Sequence, residues 1–180
     1  LTNLWQGERV RLTGLTYADV AVMAGWHTDV GFLRLYDAEP ARPRTEDELS
    51  RWLDDMHKNP RTFAFGIRRQ ADDALVGTVG IEDIVWAHGV AWVSIAIGDR
   101  ANWGQGYGRE AMRLAVDFAF RELNLYRLQL TVFEYNARAV ALYEGLGFRR
   151  EGTYREFLAR DGRRYNMYLY GLLRGEWSPA

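Results

Sequence analysis

The chain contains no cysteine, which excludes a disulfide framework, a thiolate nucleophile and a thiolate metal site. It has three histidines, His27, His57 and His88, and none is spaced from another as metal ligands are. Each is expected as a surface or satisfied core side chain, and no metal is expected. Neither charge is in excess: 23 Lys and Arg stand against 24 Asp and Glu, a formal net charge of −1. That argues against the broad basic face that nucleic-acid binding needs. No apolar run approaches the length of a membrane span, and the first residues lack the basic start and apolar stretch of a secretory signal. No membrane partner is expected, and the expected location is the cytoplasm. Of only four prolines, Pro40 and Pro43 fall in the one stretch expected to be irregular, Asp37 to Arg44. No repeat, low-complexity tract or long linker divides the chain. Its 180 residues suit a single domain over 1–180 with one core.

Aromatic residues are abundant: seven Trp, ten Tyr and eight Phe. Most should fill the core, and a minority should line a binding cleft. Arg9 to Leu15 reads as a strand, and Tyr17 to Thr28 as a helix with Thr16 or Asp19 near its start. Thr45 to His57 is an amphipathic helix with a capping box, Thr45 followed by Glu48. Thr62 to Arg69, Ala74 to Trp86 and Ala91 to Gly98 carry the period-two apolar pattern of strands. Arg109 to Glu122 is a helix with Ala111, Leu114, Ala115, Phe118 and Ala119 on one face. Arg127 to Tyr135 is a strand, and Ala137 to Leu146 a helix closed by Gly147. Thr153 to Ala159 and Tyr165 to Leu173 form a hairpin around Asp161-Gly162. This mixture predicts an α/β (α+β) fold, helices packed on one twisted sheet.

The most informative segment is Ile95 to Ala111, IAIGDRANWGQGYGREA. A strand ends near Gly98, and Gly104, Gly106 and Gly108 lead straight into a helix. Alternate glycines let the backbone approach a ligand with its N–H groups exposed. The helix start adds unpaired donors and a positive dipole end. Together they suit a pyrophosphate. Three glycines exceed what a tight turn needs. The dinucleotide fingerprint would need glycine at 109, where Arg109 stands, and the P-loop's Gly-Lys-Ser/Thr is absent.

In these residues the chain resembles the GCN5-related N-acetyltransferases, and within them the RimJ/RimL branch. The superfamily's loop, Arg/Gln-x-x-Gly-x-Gly/Ala, is met by Trp103-Gly104-Gln105-Gly106-Tyr107-Gly108, with Trp103 in place of a side-chain donor. Gln6 to Leu12 is similar to the branch's opening strand. Asn136 to Phe148, NARAVALYEGLGF, matches its Asn-x-x-(Ala/Ser)…Leu-Tyr-Glu-x-x-Gly-Phe motif, and Arg150 to Glu156 and Tyr168 to Trp177 resemble its closing hairpin. The resemblance covers nearly the whole chain. It implies a mixed, twisted sheet whose central strands splay to form an acetyl-CoA cleft. It implies acetyl transfer to a primary amine, either a protein N-terminus or a small amine, by direct attack on the thioester.

The resemblance also implies roles. Gly104 to Arg109 and Trp103 would hold the pyrophosphate, and the strand end Ala96-Ile97-Gly98 the pantetheine arm. Asn136 would contact the coenzyme besides capping its helix, and Arg109, Arg113 and Arg138 would meet phosphates. Tyr143 stands where the family has its general acid, and a phenol of pKa about 10 keeps its proton at neutral pH. The base is open between Glu82, Asp83 and Glu156. Alternation puts Glu82 and Asp83 on opposite faces, so only one should face the cleft. Ser94 stands where relatives often carry an acid. Gly31 to Pro43 and Gly152 to Arg164 are expected to shape the acceptor pocket. A homodimer is compatible with the sequence. The reading from a different class is a catalytically silent acyl-CoA-binding sensor or interaction module.

Overall fold

The computed structural model describes residues 3–178; positions 1, 2, 179 and 180 of the expected domain lie outside the described residues. Seven strands form one sheet: β1 (Val10–Gly14), β2 (Phe63–Arg69), β3 (Leu75–Val85), β4 (Val90–Ile97), β5 (Arg127–Phe133), β6 (Arg149–Arg160) and β7 (Arg163–Leu173). Their order across the sheet is β1-β2-β3-β4-β5-β7-β6. Every neighbouring pair is antiparallel except β4 and β5. The α-helices among the described residues are α1 (Val20–Trp26), α2 (Val30–Tyr36), α3 (Glu46–Lys58), α4 (Tyr107–Arg121) and α5 (Ala137–Gly145).

Helices cover both faces of the sheet, so the apolar side chains separate into two principal clusters rather than the single core expected. One gathers Val79, Ile81 and Val93 with Ala111, Met112, Ala115 and Val116 of α4. The other joins Leu75 and Ala96 to Val20, Met23, Phe32, Leu49 and Leu53 of α1 to α3. Val93 and Ala96 are three apart on β4, and side chains alternate along a strand. They therefore serve opposite faces.

The expected elements are present, with three differences. α4 begins at Tyr107, two residues early, because Gly106 is its N-cap at φ 82° and glycine adopts that conformation without penalty. β6 starts at Arg149, because irregular register between Arg150 and Gly152 and between Tyr154 and Leu158 carries it through residues whose alternation is weak. α2 occupies a stretch for which no element was expected, just before the irregular segment Asp37 to Arg44. Its seven residues are too few to persist on propensity alone. Asp29 caps it through the Gly31 N–H at 2.8 Å, and Phe32 and Leu33 are buried.

The N-terminal segment is tied to α4 by one carboxylate. Glu110 accepts from the backbone N–H groups of Glu8 (2.9 Å), Arg9 (2.8 Å) and Val10 (2.7 Å). Gly7 leaves the space: a Cβ there would lie 2.4 Å from Glu110 Cδ. Arg9 in turn donates to the Gln105 carbonyl at 2.7 Å, so the opening segment braces the loop that precedes α4. Glu110→Ala leaves three donors without their acceptor and is expected to lower stability by about 2 kcal/mol, since each lost charged acceptor counts for roughly 1.5–3 kcal/mol where buried and less where water replaces it. Urea unfolding checks this; an unchanged midpoint would show that water serves the three N–H groups equally well.

Candidate active site

β4 and β5 pair only at Val90–Arg127, Ala91–Leu128 and Trp92–Gln129. Beyond that point each strand keeps its outer partner. β4 stays on β3 as far as Ile97–Gly77, and β5 stays on β7 as far as Phe133–Met167. The sheet therefore opens between two intact halves. The Gly98 N–H bonds to the Val76 carbonyl at 3.0 Å, which fixes which β4 peptides face β3. By alternation those of Ile95 and Ile97 face the gap. The Ile97 carbonyl is taken by Trp103 Nε1 at 2.8 Å, which leaves both Ile95 backbone groups and the Ile97 N–H toward the opening. A cavity of about 650 Å³ fills this wedge.

Its mouth is the glycine loop. Gly104 (φ 73°) and Gly106 (φ 82°) are left-handed. The first-turn N–H groups of α4 that follow have no acceptor within the helix. Ala96, Ile97, Trp103, Gly104, Gly106 and Tyr107 line the cavity. So do Gly108, Arg109, Asn136 and Arg138. Three expected members do not: Gly98, Gln105 and Arg113. Gly98 is a packing glycine: a Cβ there would lie 1.9 Å from the Trp26 ring. Gln105 faces away, its carbonyl held by Arg9. The Arg109 guanidinium donates to the Gly145 carbonyl at the end of α5, at 2.9 Å. Asn136 caps α5, its Oδ1 accepting from the Ala139 N–H at 3.2 Å.

Tyr143 lines the cavity and is 6% exposed. Burial pushes its phenol up to about 12, so it keeps its proton through the neutral range. Glu82 and Asp83 both line the cavity, against the expectation from alternation. Asp83 is left-handed at φ 49°, and the β3–β4 register breaks between Glu82 and Val85. This bulge aims two successive side chains to one side. The Glu82 carboxylate folds back over Gly80 onto the Ser94 hydroxyl, which donates at 2.5 Å. A Cβ at Gly80 would lie 2.5 Å from Glu82 Oε1. Burial raises the Glu82 pKa, the Ser94 hydrogen bond opposes the rise and Asp83 adds to it. Glu156 does not line the cavity; it is exposed, left-handed at φ 51°, and placed in the β6 irregularity, where Phe157 takes the inward position instead.

The inner wall opposite β5 comes from α2. Tyr36 stacks on Phe32 at 5.4 Å and lines the cavity. Its phenol is pushed up to about 12, chiefly by burial and secondarily by Glu82. Three attachments hold this wall to the closing hairpin and β5. Arg34 makes a two-pronged pair with Asp161 at the hairpin turn, both contacts 2.8 Å. Arg160 donates to the Asp37 carbonyl at 2.9 Å. Tyr135, just past β5, donates to the Arg34 carbonyl at 2.6 Å. His27 packs edge-on against Tyr36. It is buried, with no hydrogen-bond partner for Nδ1 among the described residues, which departs from the satisfied histidine expected. Burial lowers its pKa and keeps it neutral.

Sequence reasoning missed Gly80 and the working contact of Ser94. Gly80 alone carried a signal, a glycine two residues before an acid on one strand face. Among the described residues no helix is long and apolar enough to cross a membrane.

Comparison with known proteins fits this geometry. The profile of the family described as acetyltransferase (GNAT) domain matches residues 9–149. The N-acetyltransferase p20 of Bacillus licheniformis is 26% identical over 172 residues, 95% of this chain and 96% of that one. The ribosomal protein uS5-alanine N-acetyltransferase of Escherichia coli is 25% identical over 150 residues, 79% of this chain and 76% of that one. The crystal structure of spermidine N-acetyltransferase from Vibrio cholerae in complex with CoA and spermine is similar with a TM-score of 0.85 and 25% identity, over 94% of this chain and 98% of that one. A glycine loop at the mouth of a sheet opened between β4 and β5, carried on a chain matched over most of its length, makes this protein an acetyltransferase of the GCN5-related N-acetyltransferase (GNAT) superfamily.

Proposed function

We propose that the protein transfers acetyl from acetyl-CoA to a positively charged primary amine, with Tyr143 as the acid and Glu82 as the base. The observation that carries this reading is that one cavity, opened by the parting of β4 and β5, is lined by the glycine loop, Tyr143 and Glu82 together. The first-turn N–H groups of α4 suit the diphosphate. The Ile95 backbone groups and the Ile97 N–H suit the amides of the pantetheine arm and the developing oxyanion. Each preorganised donor of that kind is worth about 3 kcal/mol.

Glu82 takes a proton from the ammonium of the acceptor, either directly or through water. The free amine then attacks the thioester carbonyl, a C–N bond forms and the C–S bond breaks. Tyr143 gives its proton to the departing sulfur and regains one as the new amide nitrogen loses its own. Burial fits both groups to these tasks: it keeps the phenol protonated and draws the carboxyl toward the working pH. Three carboxylates line the acceptor end, but Asp37 lies 3.6 Å from Arg44 and Asp83 lies 3.8 Å from Arg61. Glu82 has only the Ser94 hydroxyl as a direct partner among the described residues, which favours it as the proton acceptor. The aromatic faces of Phe32 and Tyr36 suit the carbon part of a cation.

The relatives named above act on a ribosomal-protein alanine and on spermidine, and the resemblance to the RimJ/RimL branch agrees with the first. The carboxylate-lined wall favours an acceptor with more than one positive charge. In a panel of spermidine, spermine, alanine-terminated peptides, amino acids and aminoglycosides, we expect multiply charged amines to have the highest kcat/KM. Hydroxyl or neutral acceptors ahead of every amine would refute the assignment.

Tyr143→Phe is expected to lower kcat by about 10²-fold, within the range of general acid–base catalysis, with acetyl-CoA affinity unchanged by calorimetry. A kcat within a few-fold of the parent would make Tyr143 a packing residue. For Glu82, activity should rise with pH as the carboxyl ionises, with the limb displaced above the ordinary carboxylate range. Glu82→Gln should lower kcat and abolish that limb. The stability sign is opposite. Because its folded pKa is raised, the favourable contribution of the neutral carboxyl is present at low pH and lost as pH rises through that pKa. Glu82→Gln is therefore expected to melt at or above the parent temperature at pH 7. A lower melting temperature would assign the carboxylate a structural task.

A further inference from the structure

Across the β3–β4 pair, Gly80 stands directly opposite Ser94, and Glu82 stands opposite Trp92. Glu82 and Ser94 are therefore diagonal neighbours. Diagonal positions on adjacent strands lie roughly 7–8 Å apart, within reach of long side chains only. Position 80 borders both and carries no side chain. The Glu82 carboxylate turns back across that gap and accepts from the Ser94 hydroxyl at 2.5 Å. A Cβ at position 80 would lie 2.5 Å from Glu82 Oε1 and 3.2 Å from Ser94 Oγ, so even alanine there pushes the carboxylate off. Gly80 is not one of the left-handed glycines. Space, not backbone conformation, is what the position gives, and a strand-interior glycine often marks such a close approach.

The surroundings of this carboxylate do little to favour its charge. Asp83 follows it on the bulge, and Tyr36 of α2, Asp37 and Tyr143 of α5 line the same cavity. The cations nearby are occupied elsewhere. Arg61 lies 3.8 Å from Asp83 and Arg44 lies 3.6 Å from Asp37. Of the arginines that line the cavity, Arg109 donates to the Gly145 carbonyl and Arg138 stacks on the Trp103 ring. Burial disfavours the ionised Glu82 carboxyl most; the Ser94 hydrogen bond favours it, and Asp83 disfavours it.

We propose that Gly80 and Ser94 are positioning residues for the base of the reaction, Ser94 clasping the Glu82 carboxylate across the gap that Gly80 leaves and so fixing where it meets the acceptor ammonium. This deepens the assignment of Glu82 as the base and rests on it. The clasp selects one arrangement of a side chain that would otherwise move freely in the cavity. The hydroxyl also offsets burial, so the carboxyl ionises at a lower pH than burial alone would allow. A neutral donor suits this task better than a cation. An arginine in place of Ser94 would stabilise the carboxylate so far that it became a poor proton acceptor.

Two measurements on the whole protein test this. Infrared difference spectroscopy follows the titration of the carboxyl, with Glu82→Gln as the blank. The pH profile of kcat/KM is taken with whichever amine of the panel above is used best. In Ser94→Ala the Glu82 carboxyl should titrate at higher pH than in the parent. On the acid limb kcat/KM should fall by about tenfold, the scale of one hydrogen bond to a charged group, and it should recover toward the parent value on the plateau. Ser94→Thr keeps the hydroxyl and should restore both the titration and the profile. Gly80→Ala displaces the carboxylate, so it should move the titration as Ser94→Ala does and also lower the plateau by about tenfold or more. Acetyl-CoA affinity should stay at the parent value in all three. A carboxyl that titrates in Ser94→Ala as it does in the parent would overturn the clasp. So would a folded Gly80→Ala variant with parental titration and kinetics. Ser94→Ala removes one oxygen and adds no bulk, and it decides the matter should Gly80→Ala fail to fold. A titration that moves while the acid limb stays in place would show that another group is the base. That would overturn the assignment of Glu82, and the positioning role with it, in a way distinct from the loss of the clasp.

Discussion

The structure depends on an interruption: hydrogen bonding between β4 and β5 stops after Trp92 and Gln129. A sheet that stops pairing in its middle exposes backbone groups that need partners, because a buried unpaired peptide group costs roughly 1–3 kcal/mol. The protein limits that cost by keeping both halves fully paired on their outer sides and by spending the Trp103 indole on one freed carbonyl, that of Ile97. What is left over is a short row of oriented donors and acceptors. An amide-bearing arm can complete it as a neighbouring strand would. The unfinished ladder is thus the binding device.

The mouth of the opening is braced from a distance. Glu110 gathers three N–H groups of the N-terminal segment, and Arg9 from that segment grips the carbonyl of Gln105. Contacts about one hundred positions apart in the chain therefore fix a loop whose glycines would otherwise have wide conformational freedom. Preorganisation matters here because a loop that orders only on binding loses affinity to the entropy of ordering.

Much of this was legible beforehand. The strands, four of the helices and the glycine loop announce themselves through periodicity, a capping box and turn chemistry. The mouth was legible because glycine at alternate positions before an amphipathic helix leaves few other readings. The acceptor end was legible only as two segments, Gly31 to Pro43 and Gly152 to Arg164, both of which supply cavity residues, and not in its geometry. α2 is two turns long, and its existence rests on Phe32 and Leu33 finding α1 and α3, a tertiary fact without a local signature. Asp83 joins Glu82 at the cavity through a bulge, and bulges break the alternation on which facing is inferred. Glu156 stands outside the cavity for the same reason, since along an irregular β6 it is Phe157 that lines the cavity. Gly98 and Gln105 belong to the right segment but serve packing and bracing, a distinction invisible until Trp26 and Arg9 are placed beside them.

The attachment of α2 to the closing hairpin has an evolutionary consequence. Arg34, Asp161, Arg160 and Tyr135 come from segments about a hundred positions apart or more, yet they bear on one wall of the cavity. A change of acceptor that re-aims α2 must carry a matching change at the tip of β6 and β7, or the two-pronged pair is left half made. Segments 29–44 and 154–166 therefore form one inheritable cassette in two pieces, free to diverge jointly while the glycine loop stays as it is. Recombination between relatives that splits the chain between these pieces would give proteins with a sound coenzyme half and a mismatched acceptor half.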